Sequence, residues 1–310
     1  MLGAQVLQVA FVLLVAPLLK GWMDWVKARG MRRRGPPILQ PYRHLRKWFQ
    51  KERLYTVHAT GVSRVVPAIY FAAPIIVTLL IPVLTTFPLP LAFMADMLGG
   101  GMILAAGGLL LLWAALDTGS PYTGLGVSRI RLIGTLGEPL TIMALFTAAA
   151  VGHATIPYVV NQAFGHANFF LPGHLLLLIA WFLLVLAEAG RLPVDNPDSA
   201  QELSLIDPNR TFEASGPDLA FYEWVGWMKF LVLLIIMVNV LATPAGLAAA
   251  TTPGALAIAV LATAFKAGVI ATLVVLVELS FAKLRLMRIA EYLTYAIAVA
   301  ALGAIVAGLG

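Results

Sequence analysis

The acidic side chains of this 310-residue chain crowd into one stretch. Asp195, Asp198, Glu202, Asp207, Glu213 and Asp218 follow one another, flanked by Glu188 and Glu223, with Arg191 and Arg210 as the basic residues among them. Carboxylates this close repel if all are ionised, so some must stay protonated or pair with bases. Groups of that kind take up and release protons when a neighbouring charge changes. Turn signals run through the stretch (Leu192-Pro193, Asn196-Pro197, Asp207-Pro208, Ser215-Gly216-Pro217), which argues for an ordered connection rather than a solvated acidic loop. Two lysines, Lys229 and Lys266, lie inside apolar sequence. Lys266 is roughly 13 residues, or about 20 Å, from the nearer basic end of its run. A lysine side chain cannot reach water over that distance, so it must face a protein cavity, water or a carboxylate. Asp117, Glu138, Glu188 and Glu278 each fall at the end of an apolar run. Singly, each reads as an ordinary interfacial residue. Together with the two lysines they read as the mouth and path of a proton route.

The elements that hold these groups are membrane helices. The chain is 60% hydrophobic and 12% charged, with a mean hydropathy of +0.89, against about 25% charged residues in a soluble domain. The apolar runs are too long for the ~10-residue alternating segments of a transmembrane β-barrel. The expected fold is an all-α integral membrane protein, one polytopic domain over 1–310. About eight helices are read, at 2–22, 67–88, 98–116, 139–160, 173–189, 221–242, 254–280 and 289–309. Basic residues follow the first helix, so residues 2–19 read as a retained span rather than a cleaved signal. No internal repeat supports an inverted-repeat transporter.

Lysine and arginine fall on alternate connections only: Lys27 to Arg64, Arg129 and Arg131, Arg191 and Arg210, then Lys283, Arg285 and Arg288. The positive-inside rule makes these connections cytoplasmic, at about 23–66, 117–138, 190–220 and 281–288, and puts both termini outside. The first of them is strongly basic, which suits binding to lipid headgroups rather than to nucleic acid. Its centre is Arg34-Gly35-Pro36-Pro37-Ile38-Leu39-Gln40-Pro41-Tyr42. Three prolines make an ordered, extended turn there, and the mixed basic and aromatic residues that follow read as an amphipathic helix on the membrane. An ordered loop of this kind suits docking of a partner.

There is no cysteine, so iron–sulfur clusters and thiolate-bound metals must sit on partner chains. Of the five histidines, His153 and His174 are the one pair whose placement could bracket a haem, and ordinary polarity is the simpler reading. The Gly-rich segment from Asp117 to Gly126 follows a membrane helix and is a weak nucleotide signal.

Several of these segments resemble one family. Gly35-Pro36-Pro37 with Leu39-Gln40-Pro41-Tyr42 is similar to its first-loop signature. Leu116-Asp117-Thr118-Gly119-Ser120-Pro121, with Gly124, Gly126 and Ser128-Arg129, resembles its third-loop signature. Its most specific motif is matched by Ala187-Glu188, Gly190-Arg191, Pro193-Val194-Asp195-Asn196-Pro197 and Glu202-Leu203. Glu223-Trp224 with Lys229, and Glu278 with Ala282-Lys283-Leu284-Arg285, match two more. The family is the membrane-anchor subunit of group 4 nickel–iron hydrogenases, of the formate hydrogenlyase subunit 4 type, homologous to subunit 1 of respiratory complex I.

The resemblance implies a non-catalytic subunit in the inner membrane that docks a cytoplasmic redox module and couples it to proton or sodium movement. Implied partners are hydrogenase-like large and small subunits, an iron–sulfur subunit and an antiporter-like membrane subunit. Iron–sulfur clusters and a nickel–iron centre would belong to those partners, with a quinone as the alternative acceptor. Glu188, Arg191, Asp195, Glu202, Glu213 and Glu223 would be coupling residues, and the first loop with Arg129 the docking face. Hydrogenase anchors tend to carry a His-Glu stretch after the Glu-Leu pair. Here the chain reads Ser204-Leu205-Ile206-Asp207-Pro208-Asn209-Arg210-Thr211-Phe212-Glu213, and Ala214-Ser215-Gly216-Pro217 is nearer the complex I version. That departure leaves open a quinone-site subunit of a complex I-like NADH or ferredoxin dehydrogenase. A stand-alone secondary ion transporter is the rival from another class.

Overall fold

The structure is a computed structural model that describes residues 1–166, 170–196, 206 and 208–309. Asp198, Glu202 and Asp207 lie outside the described residues. The elements in order are α1 (Leu2–Gly30), α2 (Gln40–Phe49), α3 (Gly61–Leu80), α4 (Met97–Asp117), α5 (Pro121–Gly152), α6 (Pro157–His166), α7 (Pro172–Glu188), α8 (Gly216–Ile235), α9 (Pro253–Ser280) and α10 (Leu286–Leu309). α8 continues without a break as a π-helical segment over Ile236–Ala242. Short 3-10 turns occur at Ala92–Met94 and Pro208–Thr211. No strand forms among the described residues; one isolated bridge, Thr85 to Ala248, ties the connection after α3 to the one after α8.

Seven helices are long and apolar enough to cross a membrane, and α7 is a shorter apolar helix of the same kind. With α7 this gives the expected eight apolar helices. Several boundaries differ: α1 runs on to Gly30, α3 spans Gly61–Leu80 against the expected 67–88, and α5 ends at Gly152 against the expected 160. The largest shift is at the start of α5. Residues 121–138, read from sequence as a connection, are the first turns of the 32-residue α5. Pro121 stands at the helix start, where a missing N–H costs nothing, and no further proline follows until Pro139. The charged residues Arg129, Arg131 and Glu138 are compatible with helix but lowered the apolar signal.

α8 is the axis of the bundle. Its apolar window is 83% buried, against 28% for α9 and for α10. A helix apolar on all sides belongs in the interior, and α1, α3 and α9 pack around it. α5, α7 and α10 form a second packed group beside it. The amphipathic α2 lies across α1 and α8. It turns Pro41 and Leu45 inward and leaves Arg43, His44, Arg46 and Lys47 exposed, an i, i+4 apolar spacing.

Side chains meet the backbone groups that the prolines release. Pro17 has no N–H to give the Leu13 carbonyl, and Trp224 Nε1 donates to that oxygen at 3.1 Å. Tyr42 hydroxyl donates to the neighbouring Leu14 carbonyl. These bonds fix α2 and α8 against α1.

Candidate functional site

The charged side chains collect where α1, α7, α8 and α9 converge at one end of the bundle. α7 ends at Glu188, and Gly190 takes a left-handed conformation, φ 56°. A side chain is strained there. The turn lets Arg191 N–H donate to the Leu186 carbonyl at 2.9 Å. Arg191 then reaches Glu278 on α9, guanidinium to Oε1 at 3.3 Å, and stacks on the Phe230 ring at 5.1 Å. The other oxygen of Glu278 meets Lys27 Nζ at 3.0 Å. The Glu278 carboxylate is 1% exposed. One buried anion therefore stands between two cations from distant parts of the sequence, Lys27 and Arg191.

Asp195 is buried and paired with Lys283 at 2.7 Å. Its carboxylate also accepts from the backbone N–H of Asn196 at 2.9 Å and Ile206 at 3.0 Å. Leu284 N–H donates to the Pro193 carbonyl at 2.8 Å, so the connection after α7 is stitched to the one after α9. Glu188 pairs with Lys229 of α8 at 2.6 Å. Arg210 lies near this pair. Burial lowers its guanidinium from the ordinary value, opposed by Tyr70, Glu188 and Asp195, and it stays charged. Gly126 makes this possible: a Cβ there would stand 2.7 Å from Asn209 Cβ and 3.0 Å from its carbonyl carbon. Only glycine lets the 208–211 turn lie on α5.

The remaining predicted residues lie around this core. Glu223 is half-buried on α8, without an ion pair among the described residues, in the field of Lys20 and Arg191. Glu213 is half-buried after the 208–211 turn. Glu138 is exposed inside α5 and sits 3.5 Å from Arg131. Asp117 stands apart. It accepts from the backbone N–H of Thr60 (2.8 Å) and Ser63 (3.2 Å) and from both hydroxyls at 2.6 Å. Four donors at the start of α3 make it a helix cap delivered by α4. Of the predicted docking residues, Arg34, Pro36 and Pro37 are exposed, Gly35, Gln40, Tyr42 and Arg129 are half-buried, and Pro41 is buried.

Lys266 lies toward the other end of α8. Its ammonium donates to Asn239 Oδ1 at 3.2 Å and to the Thr243 carbonyl at 2.9 Å. The π-helical segment presents its carbonyls to side chains: Asn161 donates to the Asn239 carbonyl, and His174 Nε2 meets the Leu241 carbonyl. Asn239 Nδ2 donates to the Val83 carbonyl at 2.8 Å. His174 also stacks on Phe164 at 4.5 Å, and His153 caps α5 in a left-handed conformation. No group of metal-ligating side chains occurs among the described residues.

Sequence reading missed Lys27 and Lys283 as ion-pair partners, and it missed Asn239. Lys27 is 251 residues from Glu278, so no local spacing links them. Asn239, an amide inside an apolar run, carried a signal that could have been used. A clasp was also missed. Ser215 hydroxyl bonds both the N–H and the carbonyl of Leu54, at 2.7 and 3.0 Å. Asp218 accepts from Tyr55 at 2.9 Å and faces Arg53 at 3.4 Å. Burial, then the Asp218 carboxylate, raises the Tyr55 phenol, so it stays a donor.

A crevice of about 730 Å³ runs between α4 and α5 to the Glu188–Lys229 pair. A bundle of helices long and apolar enough to cross a membrane, with ion pairs buried at one end and a crevice leading to them, defines a class: polytopic membrane proteins with charge buried among their helices. The chain belongs to the NADH dehydrogenase family, whose pattern matches residues 3–308. It is 30% identical over 281 residues to formate hydrogenlyase subunit 4 of Escherichia coli K12, covering 90% of each chain. It is 29% identical to hydrogenase-4 component C of the same organism, over 74% of this chain and 72% of that one. NADH-ubiquinone oxidoreductase chain 1 of Hylobates lar is 28% identical over 68% of this chain and 65% of its own. The fold matches a chain of the membrane-bound sulfane sulfur reductase, an archaeal respiratory membrane complex, with a TM-score of 0.82 at 24% identity over 98% of both chains. These relatives are parts of multi-subunit complexes, and this chain is a multi-pass membrane subunit of the same family.

Proposed function

We propose that this chain is the membrane-anchoring and ion-coupling subunit of a redox-driven proton or sodium pump in the inner membrane. Its partners in this reading are hydrogenase-like large and small subunits, an iron–sulfur subunit and an antiporter-like membrane subunit. Redox centres reside on those partners, since the chain has no cysteine to hold a cluster. The observation that carries the reading is the Glu188–Lys229 pair, 2.6 Å apart with Arg210 and the Asp195–Lys283 pair close by. Charge arriving on a docked partner near residues 190–218 shifts the balance of the Asp195–Lys283 pair. Glu188 responds by taking up or releasing a proton, and Lys229 carries the change along α8.

The test uses the purified complex in liposomes, with redox turnover and ion movement measured together. Glu188→Gln and Asp195→Asn should cut ion movement per electron severalfold while all subunits still co-purify. An unchanged ion-to-electron ratio in both variants overturns the proposal.

A further inference from the structure

We infer that a small cavity beneath the clasp between Leu54 and Ser215 holds one or two internal water molecules, and that this water passes protons from the surface toward the Glu188–Lys229 pair. The water site rests on the cavity alone. Its use as a proton entry rests on the coupling reading proposed above.

The cavity lies where the first connection, the end of α4, the 208–211 turn and the start of α8 meet. Small side chains leave the room, with Ala59, Ala114, Ala115 and Ala214 in its wall. The space open to the centre of a water molecule is about 30 Å³. One water needs about 10–15 Å³ on that scale, together with two to four polar partners. Tyr55, Arg210, Glu213, Asp218 and Tyr222 supply them.

Tyr222 makes the strongest case for an occupant. The residue is 8% exposed, and its hydroxyl makes no hydrogen bond among the described residues. It lies in the field of Asp218 and Tyr55, two other residues of the cavity wall. A buried phenol ordinarily has a hydrogen-bond partner, and a water in the cavity provides one. Glu213 is half-buried and likewise makes no hydrogen bond or ion pair among the described residues.

The same groups are strung between the surface and the coupling residues. At the exposed side, Asp218 faces Arg53, whose side chain is 48% exposed, and accepts from Tyr55 at 2.9 Å. At the buried side, the Tyr222 ring is tilted against that of Tyr70, with centroids 6.2 Å apart. Tyr70 lies in the field of Arg210 and Lys229. Asp218 takes a proton from bulk water, and cavity water and the two phenols relay it, each giving up one proton as it accepts another. Glu188 receives it beside Lys229. Arg210 stays charged, so it orients the water and takes no part in the transfer.

The test uses the complex reconstituted in liposomes with the clasp side outward. A cryo-EM map that resolves water should show one or two waters bonded to Asp218 and Tyr222. Proton uptake after a reduction pulse is followed with a pH-sensitive dye. Ala214→Leu fills the cavity from a half-buried position, and Tyr222→Phe removes the hydroxyl while keeping the ring. Each should slow uptake at least threefold while all subunits co-purify; Tyr222→Phe decides if Ala214→Leu fails to assemble. A cavity without water density overturns the inference. Uptake at the wild-type rate in these variants, with slowed uptake in Glu188→Gln, overturns the proton entry and leaves the coupling reading standing. Wild-type uptake in Glu188→Gln overturns the coupling reading and the proton entry with it, and the map then judges the water site alone.

Discussion

The two ends of α8 solve the same problem with different chemistry. At its start, α8 meets formal charges from other elements, and most are matched in ion pairs, Glu223 excepted among the described residues: Glu278 with Lys27 and Arg191, Asp195 with Lys283, Glu188 with Lys229. At its π-helical end the partners are neutral. Lys266 is held by an amide oxygen and a backbone carbonyl, without a carboxylate among its bonds. The difference is one of means: opposite charges neutralise each other at the first end, whereas neutral dipoles stabilise a single cation at the second.

The strongest way to break the comparison is at Glu278. Glu278→Gln leaves Lys27 and Arg191 buried around a neutral amide, and loss of a buried partner costs about 3–5 kcal/mol. The unfolding midpoint of the purified protein should fall by several degrees. Replacing all three residues by apolar ones should recover most of the loss. A milder case is the Glu188–Lys229 pair, whose side chains are 29% and 20% exposed. Glu188→Gln and Lys229→Met singly should each destabilise more than the two together, with a coupling energy of about 1–3 kcal/mol in a double-mutant cycle. At the other end, Asn239→Leu removes a partner of Lys266 and the donor to the Val83 carbonyl. A loss of about 1–3 kcal/mol is expected, insensitive to added salt because no ion pair is broken. Asp117→Asn sharpens the contrast from outside it. The cap on α3 weakens by about 1 kcal/mol while ion movement per electron stays at the wild-type ratio. The smallest effect belongs to Glu138→Gln, which removes an exposed pair worth under about 1 kcal/mol.

Sequence reading found the helices and the acidic stretch for different reasons. Runs of apolar residues announce spans directly. The start of α5 was missed because Arg129, Arg131 and Glu138 dilute the run, although nothing in residues 121–138 opposes a helix. The motif around Glu188, Gly190, Arg191 and Asp195 was legible because a turn glycine and ionisable residues sit close in sequence. Their partners Lys229, Glu278 and Lys283 come from α8, α9 and the connection after α9, and no spacing in one chain specifies a contact made through tertiary packing. Asp117 was legible as an acid at a helix end but not as a cap, because its donors, Thr60 and Ser63, lie on a helix that precedes it by more than fifty residues.

The clasp between Leu54 and Ser215 has a consequence for the order of synthesis. Its partners are 161 residues apart, and a ribosome adds about 5–20 residues per second. Arg53, Leu54 and Tyr55 therefore leave the ribosome roughly 10–30 s before Ser215 and Asp218 do. During that interval the first connection can already bond to the end of α4 through Asp117 and Thr118, but it and α2 lack α8. The arrival of α8 completes the bundle axis and the clasp in one step, so truncation before residue 215 should leave an inserted but proteolytically open first connection.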